Sequence, residues 1–127
     1  MAGEVADAAL TPALALDYLD ELSTDIRGGL VLDRRGEVAA AWHGDAERGE
    51  RMREPLIEFL RRADGAMPGR SKAAAVEVAT ARGSVFALRN ARWTLVVITG
   101  RFVLSSLMLF DLRHVLDDLD PPKAPAK

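Results

Sequence analysis

The residues whose types suit proton transfer or nucleophilic attack are few: two histidines, no cysteine, and scattered serines and carboxylates. A Ser/His/Asp site could be drawn from Ser105 or Ser106 with His114 and Asp111, or from His43 with Asp45. His114 stands eight or nine residues beyond the serines. On one helix that is more than two turns, roughly 12 Å along the axis, which no hydrogen bond spans. A histidine near a helix C-terminus is favoured by the dipole as a cation, and that plain role suits His114 better. His43 follows a predicted strand end and reads as polar trim. No set of histidines and carboxylates has metal-ligand spacing, and the lack of cysteine excludes disulfides, thiol catalysis and thiolate metal sites. Gly28, Gly29 and Gly36 form neither a G-x-G-x-x-G nor a Walker pattern. The Gly28-Gly29 pair also follows a predicted helix, where a phosphate loop would precede one. The sequence thus points to no enzyme, no metal and no cofactor.

The charges that remain are candidates for contact with a partner. Arg48, Arg51 and Arg53 offer a cationic patch to an acidic surface, although Glu47, Glu50 and Glu54 balance them and a solvated face is the plainer account. Asp117, Asp118 and Asp120 crowd a helix C-terminus, where the dipole disfavours them, and solubility explains them most simply.

At 127 residues, with 49% hydrophobic and 28% charged residues, the chain suits one domain with a real core. A formal net charge of −2 argues against a nucleic-acid surface, which needs a basic excess. The first ten residues lack a basic stretch followed by an apolar one and do not read as a signal peptide. A membrane span from Trp93 to Phe110 would place Arg101 near its middle, at a cost of about 2.5–3.5 kcal/mol. The expected location is the cytoplasm.

The element that must organise the rest is the run from Trp93 to Thr99. It is apolar on both faces, so it belongs at the centre of a sheet with helices above and below. From about Val103 the period changes, and Leu104, Met108, Leu112, Val115 and Leu119 form the stripe of an amphipathic helix. Earlier in the chain, Thr11-Pro12 opens a helix as N-cap and first-turn proline. Ala15, Leu19, Leu22 and Ile26 give its stripe, and Gly28-Gly29 its end. Leu30 to Leu32 and Glu37 to Trp42 form a hairpin around the turn Asp33-Arg34-Arg35-Gly36. A second helix lies between Ala46 and Ala63, with Met52, Leu56, Phe59 or Leu60, and Ala63 buried. Pro55 either kinks a helix that begins near Asp45 or marks the first turn of one that begins near Glu54. Ala66 to Ser71 reads as a loop. Strands follow at Ala74 to Ala81 and Ser84 to Arg89, and the central strand and last helix complete the chain.

The resulting class is α/β in the α+β sense: an α-β-β-α-β-β-β-α order with a five-stranded antiparallel sheet and helices on both faces. Residues 1–10 and the Pro/Ala/Lys-rich 120–127 are expected to be disordered, and 11–119 to form the domain. The third strand has one charge, no proline and small side chains, so a second copy could pair along it. The expected homodimer joins third strands and second helices through Leu56, Phe59, Leu60, Val76, Glu77 and Val78.

The hairpin Ile26-Arg27-Gly28-Gly29-Leu30-Val31-Leu32-Asp33-Arg34-Arg35-Gly36-Glu37-Val38-Ala39, with the later Leu95-Val96-Val97-Ile98-Thr99 and a final Leu-rich helix, resembles the roadblock / dynein light chain family. The resemblance runs from about Thr11 to Leu119 and rests on packing and turn patterns. The charged approach to the second helix, with Pro55 in it, departs from that pattern. The resemblance implies a roadblock/profilin-like fold and a homodimeric, non-catalytic regulatory or scaffold module, with no catalytic residue to carry over. It also implies, for the bacterial branch that the Ala- and Arg-rich composition fits, action on a Ras-like small GTPase. The alternative is a small-molecule sensor of the PAS/profilin-like kind, with its ligand held between sheet and helices.

Overall fold

The computed structural model describes residues 10–67, 69 and 74–119. Its centre is β5 (Thr94–Thr99), the run that is apolar on both faces. The sheet order is β2-β1-β5-β4-β3, and every neighbouring pair is antiparallel. Around β5 lie β1 (Ile26–Leu32), β2 (Val38–Ala41), β3 (Ala75–Ala79) and β4 (Ser84–Arg89). The helices are α1 (Pro12–Leu22), α2 (Ala46–Gly65) and α3 (Ser105–Leu119).

Alternation along β5 divides the core in two. Leu95 and Val97 join Val31, Phe86 and Leu88 beneath α1 and α3. Val96 joins Leu30, Leu32 and Ala87 beneath Leu56 and Leu60 of α2. Each large apolar side chain so buried is worth roughly 1.5–3 kcal/mol, and the two layers share the same central strand. Met108, Leu112, Val115 and Leu119 of α3 are buried as their spacing predicts. Trp93 ties off this helix by donating its indole N–H to the Leu119 carbonyl at 3.2 Å, one of the acceptors that a helix C-terminus leaves free.

The turns follow local chemistry. Asp33 accepts the Gly36 N–H on its carbonyl at 2.9 Å, and its carboxylate takes the N–H groups of Arg35 and Glu37 at 2.8 and 3.0 Å. Asn90 serves the β4–β5 turn in the same way, accepting from Arg92 and Trp93. Thr11 caps α1 by accepting the Leu14 N–H at 3.2 Å.

Several boundaries differ from the sequence expectation. Gly28-Gly29 does not end the first helix: α1 stops at Leu22, and both glycines lie inside β1 along with Ile26. Packing is the reason. A Cβ on Gly29 would come within 2.9 Å of the Trp42 ring and 3.2 Å of Leu16, and one on Gly28 within 2.9 Å of the Arg48 guanidinium. Gly29 lets the Trp42 ring and Leu16 approach the backbone of the strand, whereas the flexible end of Arg48 over Gly28 can swing aside. Trp42 leaves β2 for a single 3-10 turn, Trp42–Gly44, and buries its ring under α1. Leu22 and Leu104, assigned to buried stripes, are exposed. For α2 the earlier start holds: Asp45 caps it by accepting the Arg48 N–H at 3.1 Å, and the helix runs through Pro55. Pro55 is exposed at a margin of the helix, where its missing N–H costs least. The strand expected over Ala74 to Ala81 is confined to Ala75–Ala79. The expectations for residues 1–9 and 120–127, and for Pro68, Arg70 and Ser71 of the predicted loop, lie outside the described residues.

Candidate protein interface

The side chains considered for chemistry go to separate partners. His43 Nε2 meets Asp20 Oδ2 at 2.8 Å rather than Asp45. The ring of His114 lies against Phe110 and its Nδ1 is 3.1 Å from the Phe110 carbonyl oxygen. Ser105 Oγ donates to the Glu77 carboxylate on β3. Among the described residues, no group of three or more His, Asp or Glu is placed to hold a metal ion. A cleft of about 530 Å³ beside α2 is lined by Leu60, Ile57 and the turns at Asp33–Gly36 and Asn90–Trp93, and it is rimmed by Arg34, Arg61 and Arg92. Across it Arg89 forks onto Asp64, with its Nη1 donating to Oδ2 at 3.0 Å and its Nη2 to Oδ1. Both side chains are mostly buried, so the pair ties the last turn of α2 to β4. Asp64→Ala is expected to cost about 1.5–3 kcal/mol in a urea melt with the fold retained.

The other margin of α2 has a different character. The helix covers the β1–β2 half of its sheet face and leaves the β5-β4-β3 half partly open. Direct pairing places Val78 opposite Val85 and Val85 opposite Ile98, one row of branched side chains running from the sheet edge to the centre. Val76 heads the next row, opposite Ala87. Val78 is 37% exposed, and Val76, Val85 and Ile98 are half-buried. A groove of about 400 Å³ separates this ledge from α2, lined by Arg48, Arg51, Met52, Pro55, Leu56 and Ile98. At the outer end β3 pairs, among the described residues, with β4 alone, so its other backbone edge is a template for a further strand.

The residues expected at an interface therefore divide. Val76 and Val78 stand on the open ledge, and Phe59 is half-buried at its helix margin. Leu56 and Leu60 are buried in the chain's own core beneath α2. Glu77 points to the opposite face, where it meets Ser105. Of the arginines, Arg51 is exposed with Glu47 at 3.9 Å, and Arg48 lies over Gly28 with its Nη1 3.5 Å from the Arg27 carbonyl. Arg53 turns inward instead: its Nη1 donates to the Gly36 carbonyl at 3.3 Å and its guanidinium lies beside Glu50. The sequence reasoning missed Val85 and Ile98. A cross-strand register would have found them, and a single strand's periodicity cannot supply one.

A five-stranded antiparallel sheet with two helices on one face and one on the other, in this order, is the fold of the Roadblock/LC7 domain. A solved Roadblock/LC7 domain from Streptomyces avermitilis superposes with a TM-score of 0.76 at 14% identity, over 90% of this chain and 97% of that one. A second Roadblock/LC7 domain from the same organism gives 0.59 at 17% identity, over 81% and 92%. Myxococcus xanthus MglB gives 0.66 at 15% identity, over 83% and 84%. No protein-family model matches the sequence, and no curated protein matches it. The likeness is therefore one of fold.

Proposed function

We propose that this chain is a non-catalytic, homodimeric regulatory or scaffold module that binds and modulates a Ras-like small GTPase or its signalling complex. The observation that carries the reading is the open row Val78–Val85–Ile98 beside β3, the outermost of the described strands, in a chain with the fold of Roadblock/LC7 domains and of MglB. Two copies related by a two-fold axis would pair β3 with β3 and continue the sheet across the subunits. The same step would bring the Phe59 margins of the two α2 helices together over the ledge and cover its branched side chains. Arg51, and Arg48 beside the groove, would then stand on the α2 surface of the dimer as contacts for an acidic partner. A cytoplasmic, bacterial setting fits this reading, and no described helix is long and apolar enough to cross a membrane. The sensor alternative calls for an apolar chamber between the layers, whereas the larger cleft is rimmed by arginines and supplies no support for it.

Affinity capture of the tagged chain from its native cell, read by mass spectrometry for a Ras-like GTPase and repeated with Arg51→Glu, tests the partner. A GTPase held by the unaltered chain and lost from the variant is the expected result. Capture of no GTPase would remove the partner assignment. The dimer is tested separately by light scattering, where a mass of one subunit at micromolar concentration would refute it.

A further inference from the structure

The opposite side of the sheet carries a second apolar surface. On α1, Leu14, Tyr18 and Leu22 recur every four residues and are 54, 48 and 46% exposed. Asp20 fixes which flank they occupy, since its carboxylate reaches His43 beyond β2. At about 100° per residue Tyr18 lies about 200° from Asp20, on the flank that faces α3. Ser105 orients α3 in the same way. Its hydroxyl reaches Glu77 on β3, and Leu107, two residues on, lies about 200° round, toward α1. Leu107 is 55% exposed, and Leu104 at the head of the helix is 66% exposed. The packed pair α1 and α3 thus frames a groove with apolar walls on both sides.

The charge around it is mostly negative. Helix α1 carries Asp17 and Glu21, besides the Asp20 that is turned away to His43, and no basic residue, while α3 sets Asp111, Asp117 and Asp118 against Arg113. The β5–α3 connection holds Phe102 at φ 64° with its side chain almost wholly in solvent and the Arg101 guanidinium 4.8 Å from its ring centroid. A bulky residue in the left-handed region is strained, and here the strain goes with an aromatic ring held outward. Apolar walls inside an acidic rim call for an occupant with an apolar stripe and positive margins.

We propose that the α1/α3 groove docks a basic amphipathic helix of a partner protein, with aliphatic residues at i, i+3, i+4 and i+7 flanked by Lys or Arg. The site lies across the sheet from the α2/β3 ledge, so it works whether or not the chain dimerises there. The test is fluorescence anisotropy with the full chain and a labelled helical peptide of about five turns, leucines on one face and lysines beside them. The control peptide keeps the leucines and replaces the lysines with glutamates. The lysine peptide is expected to bind saturably and at least about tenfold more tightly than the control. Tyr18→Ser and Leu107→Ser, both at exposed positions, should each weaken it about tenfold, while Val78→Asp leaves it unchanged. Equal binding of the two peptides, or indifference to both serine variants, would overturn the proposal. So would light scattering in which Tyr18→Ser or Leu107→Ser lowers the oligomer mass, because the groove would then belong to a second copy.

Discussion

Val78→Asp is expected to convert a dimer into a monomer at micromolar concentration, raising the dissociation constant by about a hundredfold or more. Val78 lies on the edge strand with its side chain partly in solvent, so the isolated subunit tolerates a carboxylate there at small cost. In the paired state the same carboxylate would be enclosed against Val85 and its own two-fold mate, two like charges stripped of water. Sedimentation equilibrium should therefore show halved mass, with circular dichroism and melting temperature little changed beyond the loss of dimer stabilisation. Retention of the dimer by this variant would refute pairing along β3. Phe59→Asp is a poorer instrument for the same question. Phe59 packs against the cluster of Leu56 and Leu60, so its loss disturbs the subunit as well as the contact.

Gly83→Ala is expected to be the most destructive single methyl group that can be added at the β3–β4 turn. Thr80 and Gly83 exchange backbone hydrogen bonds at 2.7 and 3.3 Å, and the Thr80 hydroxyl accepts the N–H of Arg82 at 3.2 Å. Gly83 is buried, and a Cβ there would stand 2.0 Å from the Thr99 carbonyl oxygen at the end of β5. The obstacle is backbone of the central strand, which cannot swing aside as a side chain would. Either the hairpin or the β4–β5 register must give, at an expected cost of roughly 3 kcal/mol or more. For a domain of this size about 3 kcal/mol lowers the melting midpoint by about 11 °C, measurable by calorimetry. An unchanged midpoint would mean that the turn is not closed against β5 as described. Ser84→Ala, one residue on, should shift the midpoint by only a few degrees.

The fold was legible because its main signals are periodic. Trp93 to Thr99 has no polar face, which forces a central place; Met108, Leu112, Val115 and Leu119 keep helical spacing; Asp33 and Gly36 mark their turn by type. Gly28-Gly29 was misread because glycine ends helices far more often than it thins a strand between two packed layers. Only the positions of Trp42 and Leu16 reveal the purpose of Gly29. Leu22 and Leu104 were misplaced for a related reason. Each extends an apolar pattern by one step past the end of its helix's buried face, and periodicity does not say where the covering sheet stops. The candidate interface was half legible. An alternating strand with weak charge marks Val76 and Val78 as an edge, but Val85 and Ile98 join them only through strand register. Nothing in the sequence marks Leu14 and Tyr18 as exposed; the contact of Asp20 with His43 shows which way α1 is turned.

The pairing of β1 with β5 sets Ile26 against Thr99, two residues more than seventy positions apart. β3, β4 and β5 by contrast form a meander whose turns are short and local. A nascent chain that has emitted α1, β1, β2 and α2 holds half of each core layer with no strand to close it. Its Leu30, Val31 and Trp42 must wait until β4 and β5 have followed. Closure of that long loop should set the folding rate, and the interval before it is when this polypeptide is most open to chaperones and to aggregation.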